Sequence, residues 1–230
     1  MSKHTINRVE EKYIVSKVKY NKLVKELLKH TVHDEYYRMK VCNLYYDTKD
    51  YDLIRRSLDK PVYREKIRIR SYDIPKLDSI VYVEIKKKYN NMSNKRRVDI
   101  SLKEAYQLLE KHDNANDKQI ICELLYAKES YLLQPSCYIS YDREAYVDKL
   151  TKSIRITFDN NLICRDYDLL LEKGCYGVSI LDSDDYIMEI KTDAVIPMWL
   201  SRIMTELRLY PCSFSKYGTF YRIINEKRGI

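Results

Sequence analysis

Glycine is nearly missing from this chain, with four residues among 230. That scarcity argues against the glycine-rich loops of P-loop and dinucleotide-binding folds, and neither Gly-x-Gly-x-x-Gly nor a Walker pattern occurs. If a nucleotide binds, side chains must hold its phosphates. The six cysteines (Cys42, Cys122, Cys137, Cys164, Cys175 and Cys212) include no Cys-x-x-Cys pair. His4, His30, His33 and His112 fall in no metal-ligand motif, so zinc-site spacing is absent. The expectation is a cytoplasmic protein with reduced thiols, its cysteines serving as small core residues. No apolar run approaches the length of a membrane span, and no linker or repeat divides the sequence. Residues 1–230 are therefore read as one domain, a size at which a single antiparallel barrel is common.

Charge, by contrast, is plentiful. Lys and Arg total 42 against 34 Asp and Glu, a formal net charge of +8 with a pI near 9.0. That balance favours an anionic partner. The distribution of charge says more than the sum. Lys66-Ile67-Arg68-Ile69-Arg70, read as a strand, puts three cations on one face and two isoleucines on the other. Cations on neighbouring positions repel unless an anion sits among them. Tyr82-Val83-Glu84-Ile85-Lys86 and Ile187-Met188-Glu189-Ile190-Lys191 alternate in the same way, and Ser153 to Phe158 sets Arg155 between small polar residues. Strands that are charged on one face and apolar on the other suggest a sheet curled around a polar interior, suited to a polyanion and to a metal held by glutamates.

The remaining pattern predicts strands over Arg8–Val15, Lys40–Asp47, Tyr63–Tyr72, Ser79–Lys88, Lys95–Ile100, Tyr138–Val147, Ser153–Leu162 and Tyr186–Thr192. Helices are predicted over Lys17–His30 with Ser16 as its cap, near Tyr51–Leu58, over Leu102–Lys111 behind a Ser101/Glu104 capping box, over Lys118–Leu133, from Pro197 to Leu209, and after Ser215. The class is α+β with antiparallel strands.

Nine short motifs stand in order along the chain. They are Arg8-x-Glu10-x-Lys12-Tyr13, Leu44-Tyr45-Tyr46-Asp47-Thr48, Arg64-Glu65-Lys66-Ile67-Arg68-Ile69-Arg70, Glu84-Ile85-Lys86, Lys95-Arg96-Arg97-Val98, Tyr141-Asp142-Arg143, Arg155-x-Thr157-x-Asp159, Glu189-Ile190-Lys191 and Ser213-Phe214-Ser215-Lys216-Tyr217-Gly218. From Arg8 to about Tyr221 the series resembles the VTC domain, the polyphosphate polymerase domain of the triphosphate tunnel metalloenzyme (CYTH-like) superfamily. The resemblance implies an antiparallel β-barrel, a triphosphate tunnel, with flanking helices. It implies a transferase that moves the γ-phosphate of ATP to a growing polyphosphate chain, with Mn2+ or Mg2+ as cofactor.

Carried onto this sequence, the resemblance gives Lys86, Arg68, Arg70, Lys12 and Lys216 catalytic roles at the transferring phosphates. Lys66, Lys95, Tyr141, Arg143, Arg155, Ser215 and Arg56 would bind substrate, and Glu189 with Glu10 would bind metal. Arg8 stands where wider members of the superfamily carry a first glutamate, which fits the polymerase branch better than the hydrolases. The partners implied are ATP and polyphosphate or triphosphate, with no nucleic acid, and any coupling to a membrane would need a separate protein. Two other readings compete. The same scaffold can serve a tripolyphosphatase or nucleoside triphosphatase, with water replacing phosphate as acceptor, or a non-catalytic polyphosphate-binding module. A single basic strand is more often a solvated face, and Glu84/Lys86 and Glu189/Lys191 can be ordinary same-face ion pairs. An RNA-binding sheet would normally show aromatics beside its basic residues, and Lys66 to Arg70 has none.

Overall fold

Alternation of apolar and polar residues builds most of this molecule. The computed structural model describes residues 9–59, 61–90, 92–110, 119–193 and 195–228. Arg8, Lys111 and Lys118 lie outside the described residues. In chain order the elements are β1 (Val9–Ser16), α1 (Lys17–His30), β2 (Thr31–Asp47), α2 (Asp52–Leu58), β3 (Tyr63–Tyr72), β4 (Ile80–Tyr89) and β5 (Met92–Ser101). There follow α3 (Leu102–Glu110), α4 (Gln119–Tyr131), β6 (Gln134–Asp148), β7 (Ile154–Arg165), a 3-10 turn at Leu171–Lys173, β8 (Val178–Ser179), β9 (Asp185–Thr192), α5 (Met198–Glu206) and α6 (Lys216–Arg228). The fold is mixed α+β. Eight strands follow the order β1-β9-β7-β6-β2-β3-β4-β5, an open order ending in β1 and β5, and β8 pairs with β7 as the ninth.

The chain divides into two compact units. The first draws on the described residues of Met1–Met39, Tyr141–Leu162 and Leu181–Phe214. Its core joins Tyr13 and Val15 of β1, Ile156 and Phe158 of β7, and Met188 and Ile190 of β9 to Leu23 and Leu27 of α1 and Leu200, Ile203 and Met204 of α5. The second draws on Lys40–Ser140, Ile163–Ile180 and Ser215–Ile230. There Ile67 and Ile69 of β3, Val81, Val83 and Ile85 of β4 and Val98 of β5 pack with Leu102, Ala105, Leu108 and Leu109 of α3 and Ile121, Leu124 and Ala127 of α4. Each Val, Leu, Ile, Phe or Met among these, fully buried, contributes about 1.5–3 kcal/mol of transfer free energy. In both units helices take up the apolar strand positions, so the charged side chains are left to the opposite strand face.

Local chemistry accounts for several element boundaries. Ser101 and Glu104 form the expected capping box: Glu104 N–H donates to Ser101 Oγ (3.2 Å) and Ser101 N–H to Glu104 Oε2 (2.9 Å). Ser16 holds the extended N-cap backbone (φ −66°, ψ 154°), but its side chain makes no capping hydrogen bond. That expectation is corrected, and α1 is held instead by Leu23 and Leu27 in the core. Strand β2 begins at Thr31 rather than Lys40. Its first half carries no regular two-residue alternation of burial. Helix α5 stops at Glu206, short of Leu209, because Arg208 adopts a left-handed φ of 50° and Leu209 N–H bonds back to Met204 O at 2.9 Å. No helix among the described residues is long and apolar enough to cross a membrane.

Candidate functional site

Two clusters of cations form, one in each unit, and each is organised by a buried carboxylate. In the second unit the antiparallel register of β3, β4 and β5 aligns Lys66, Lys86 and Lys95 in one row across three strands. The next row is Arg68, Glu84 and Arg97, and the one after it Arg70, Tyr82 and Asp99. Like charges directly opposite one another destabilise a ladder, so this face needs an anion. Glu84 supplies it. Its side chain is 2% exposed; Oε2 accepts from Arg68 Nε (2.8 Å) and Nη2 (2.7 Å), and Oε1 lies 2.5 Å from Lys95 Nζ. Burial pushes the Glu84 carboxyl upward, and the charges of Arg68, Arg70 and Lys95 outweigh it, leaving the group ionised with its pKa lowered to about 2.

Around that centre the remaining groups are positioned by hydrogen bonds. Arg68 Nη1 donates to the Tyr45 hydroxyl (3.0 Å). Arg70 is buried and donates through Nε to Asn43 Oδ1 (2.9 Å), and Asn43 Nδ2 in turn donates to Ile139 O (3.1 Å). Lys66 Nζ donates to Ser215 Oγ (3.3 Å), the same oxygen that accepts Gly218 N–H (3.2 Å) at the head of α6. A Cβ at Gly218 would stand 2.8 Å from Leu58 Cδ2, so any larger residue there has to displace the end of the Leu58 side chain. Lys216 opens α6 directly after Ser215. Lys86 is exposed between Lys66 and Lys95, whereas Lys87 turns to the other face and pairs with Glu123 of α4. Arg56 lies exposed on α2.

In the first unit the register sets Lys12 of β1, Glu189 of β9 and Thr157 of β7 in one row, with Glu10, Lys191 and Arg155 in the next. Glu189 Oε1 meets Lys191 Nζ at 2.7 Å. Burial works against its charge, but Lys191, Lys12 and Arg143 hold the carboxyl far below its ordinary range. Lys12 Nζ donates to Phe214 O (3.1 Å) and lies 3.8 Å from Glu10 Oε1. Arg143 grips Asp159 with two bonds, Nε to Oδ1 (2.6 Å) and Nη2 to Oδ2 (2.8 Å), and its guanidinium lies over the buried Tyr141 ring at 5.2 Å. Arg155 is tied to Asp34 of β2 (2.7 Å).

Glu189 and Glu10 offer the hard oxygens that Mg2+ or Mn2+ prefers. Thr157 Oγ1, buried and without a protein hydrogen bond, stands one strand away from Glu189. Among the described residues no three His, Cys, Asp or Glu side chains gather as a metal cage. The donor set therefore suits an ion that takes most of its ligands from phosphate and water, as Mg2+ commonly does. Sequence reasoning passed over Asp159, Asp34, Asn43 and Tyr45, the groups that hold the arginines. Asp159 and Tyr45 lay within quoted motifs, but nothing in their spacing revealed which cation each would meet.

The sequence profile of the VTC domain matches residues 7–225. The chain belongs to the VTC domain family. Its fold is similar to that of a candidate adenylate cyclase from Bacillus halodurans (TM-score 0.55, 16% identity, 90% of this chain and 93% of that one). It is likewise similar to a candidate adenylate cyclase from Vibrio parahaemolyticus (TM-score 0.52, 11% identity, 93% and 97%). A third similar structure, from Hippeastrum, is a candidate adenylyl cyclase described as having a dominant triphosphatase activity (TM-score 0.53, 15% identity, 94% and 95%). No curated protein matches the chain. At these identities the solved structures establish the fold.

Proposed function

We propose that this VTC domain is an ATP-dependent polyphosphate polymerase, moving the γ-phosphate of ATP onto the end of a growing polyphosphate. The observation that carries this reading is the row Lys66, Lys86 and Lys95, set beside Arg68 and Arg70 around ionised Glu84. A triphosphate brings about four negative charges, which guanidinium forks and mobile ammonium groups accommodate together. In the transfer, a terminal oxygen of the polyphosphate attacks the γ-phosphorus, the bond to the β–γ bridging oxygen breaks, and ADP leaves. Such chemistry asks for positioning and for stabilisation of the equatorial oxygens, with little covalent work by the protein. Lys86, exposed in the middle of the row, is assigned to the transferring phosphate, and Arg68, Arg70, Lys12 and Lys216 to its neighbours. Lys66, Lys95, Arg143, Arg155, Tyr141, Ser215 and Arg56 are assigned to substrate binding. Mn2+ or Mg2+ held on Glu189, with Glu10 on the next row of the same ladder, would neutralise phosphate charge.

A second reading is hydrolysis, with water as acceptor. The Hippeastrum structure, whose name reports a dominant triphosphatase activity on a similar fold, favours it. One incubation separates the two. The protein is given ATP and Mn2+, products are resolved on a gel stained for polyphosphate, and free phosphate is assayed in parallel. A growing ladder that disappears in Lys86→Ala supports polymerisation. Free phosphate without polymer overturns it in favour of hydrolysis, and wild-type polymerisation by Lys86→Ala or Glu189→Ala overturns the assignment of those residues.

A further inference from the structure

Two of the six cysteines meet at the edge of the second unit's core, Cys42 within it and Cys175 packed against it. Cys175 Sγ lies 3.8 Å from Cys42 Sγ and 3.2 Å from the Tyr138 hydroxyl. Cys42 is wholly buried on β2, while Cys175 is only half-buried, in the segment between the 3-10 turn and β8. That segment is held with unusual thoroughness. The buried Arg165 donates through Nη1 to Gly174 O (2.8 Å) and Tyr176 O (3.2 Å), the two carbonyls flanking Cys175. It also donates to Leu170 O (3.0 Å) and Asp168 O (3.1 Å). Its guanidinium is stacked between the rings of Tyr138 (3.6 Å) and Tyr176 (4.2 Å). The backbone on both sides of Cys175 is thus fixed, and so is the ring whose hydroxyl reaches its sulfur.

We propose that Cys175 and Cys42 form a peroxide-reactive pair, with Cys175 the attacking thiol and Cys42 the resolving one. The division follows from access and from hydrogen bonding. A hydroperoxide reaches half-buried Cys175 and not Cys42. Hydrogen bonding with Cys42, Tyr138 and Ser140, together with the positive charge of Lys40, holds the Cys175 thiol below the ordinary range although burial opposes this. Hydrogen bonding to Cys175 and burial push the Cys42 thiol the other way, keeping it protonated until it is needed.

In the first step the Cys175 thiolate attacks one oxygen of the hydroperoxide and the O–O bond breaks. The departing alkoxide or hydroxide takes the proton that the thiol gave up, and Cys175 becomes a sulfenic acid. In the second step Cys42 sulfur attacks Cys175 sulfur and the S–S bond forms. The sulfenic hydroxide leaves as water with the Cys42 proton. Two thiols and one hydroperoxide thereby give one disulfide, one alcohol (water, for hydrogen peroxide) and one water. Forming the bond requires the sulfurs to close from 3.8 Å to about 2.05 Å.

The test uses the whole reduced chain and hydrogen peroxide at one to two equivalents, followed by digestion without reductant and mass spectrometry. Exposed Cys122 serves as the internal reference. The expected result is a cross-linked Cys42–Cys175 peptide two hydrogens lighter than the sum of its parts, formed about tenfold or more faster than oxidation of Cys122. Cys42→Ala is expected to leave Cys175 as a sulfenic acid that dimedone captures. Oxidation of Cys122 ahead of Cys175, or loss of both thiols with no link between them, would overturn the proposal. The wild-type measurement stands even if a variant fails to fold.

Discussion

The Tyr217 hydroxyl donates to Asp47 Oδ2 at 3.0 Å, joining residues 170 positions apart in the chain. Asp47 is buried and already accepts the N–H groups of Thr48 (2.8 Å), Leu53 (2.8 Å) and Ile54 (3.0 Å), which fixes the start of α2. Tyr217 lies in the first turn of α6 and stacks on Tyr45 (4.8 Å between ring centres), whose hydroxyl accepts from Arg68. One chain of contacts therefore runs from the α2 cap through α6 to the arginine beside Glu84.

Tyr217→Phe keeps the ring and removes the hydroxyl, leaving Asp47 Oδ2 and Ser136 Oγ each short of a partner. A loss of about 1–3 kcal/mol is expected, read as a lower urea midpoint with unchanged slope. An unchanged midpoint would mean that water replaces the hydroxyl at no cost.

Glu84→Gln removes the anion from among Arg68, Arg70 and Lys95. Breaking a buried ion pair on one side typically costs about 3–5 kcal/mol. The variant is expected to melt well below the wild type at low salt and to recover more than the wild type does when tripolyphosphate is added. Equal shifts in the two proteins would show that the carboxylate is not the counterion of this face.

Acid should weaken the fold in a defined window. Glu84 and Glu189 both have folded-state pKa values depressed below the ordinary 4.5, so both contribute stability that is complete above pH 4.5 and lost as pH falls. For Glu84 the loss runs from there down to about pH 2. Asp47 works in the opposite sense, because burial raises its pKa and acid relieves the cost of its charge. Urea midpoints measured from pH 6 to pH 3 should fall, and fall less steeply in Glu84→Gln. A flat profile in the wild type would contradict the two depressed carboxyls.

Two glycines around Cys175 should rank clearly. Gly177 has φ +139°, and a Cβ there would stand 2.2 Å from Cys164 O. Gly174 has φ +93°, but its Cβ would meet nothing nearer than Ile74 Cδ1 at 3.8 Å. Both alanine variants carry backbone strain of about 1–3 kcal/mol, and Gly177→Ala adds a clash with backbone. Thermal melting should place Gly177→Ala below Gly174→Ala, and the reverse order would contradict the close approach at Cys164.

The legible parts of this molecule are those with a strict period. Lys66 to Arg70 alternates cleanly, and β3 has Ile67 and Ile69 in the core with the three cations opposite. Residues 31–39 mix Val32, His33, Asp34, Glu35 and Tyr36 without a two-residue period, so the first half of β2, and with it Asp34 as the partner of Arg155, could not be read locally. Ion-pair choice was half legible. Glu189 does pair with Lys191 two positions on, but Glu84 pairs with Arg68 and Lys95 on the neighbouring strands, because the register brings them to it. Contacts such as Tyr217 to Asp47 or Cys42 to Cys175 depend on tertiary packing and leave no periodic trace.

Glu84 also changes what it means for an anion to arrive. Arg68 and Lys95 already hold a counterion fixed to the backbone, so an incoming anion must compete with a carboxylate that never diffuses away. An anion bound at these two side chains would be held by exchange, with the carboxylate within hydrogen-bond distance to take its place on departure. A surface of that kind favours passage of successive like-charged units over their retention.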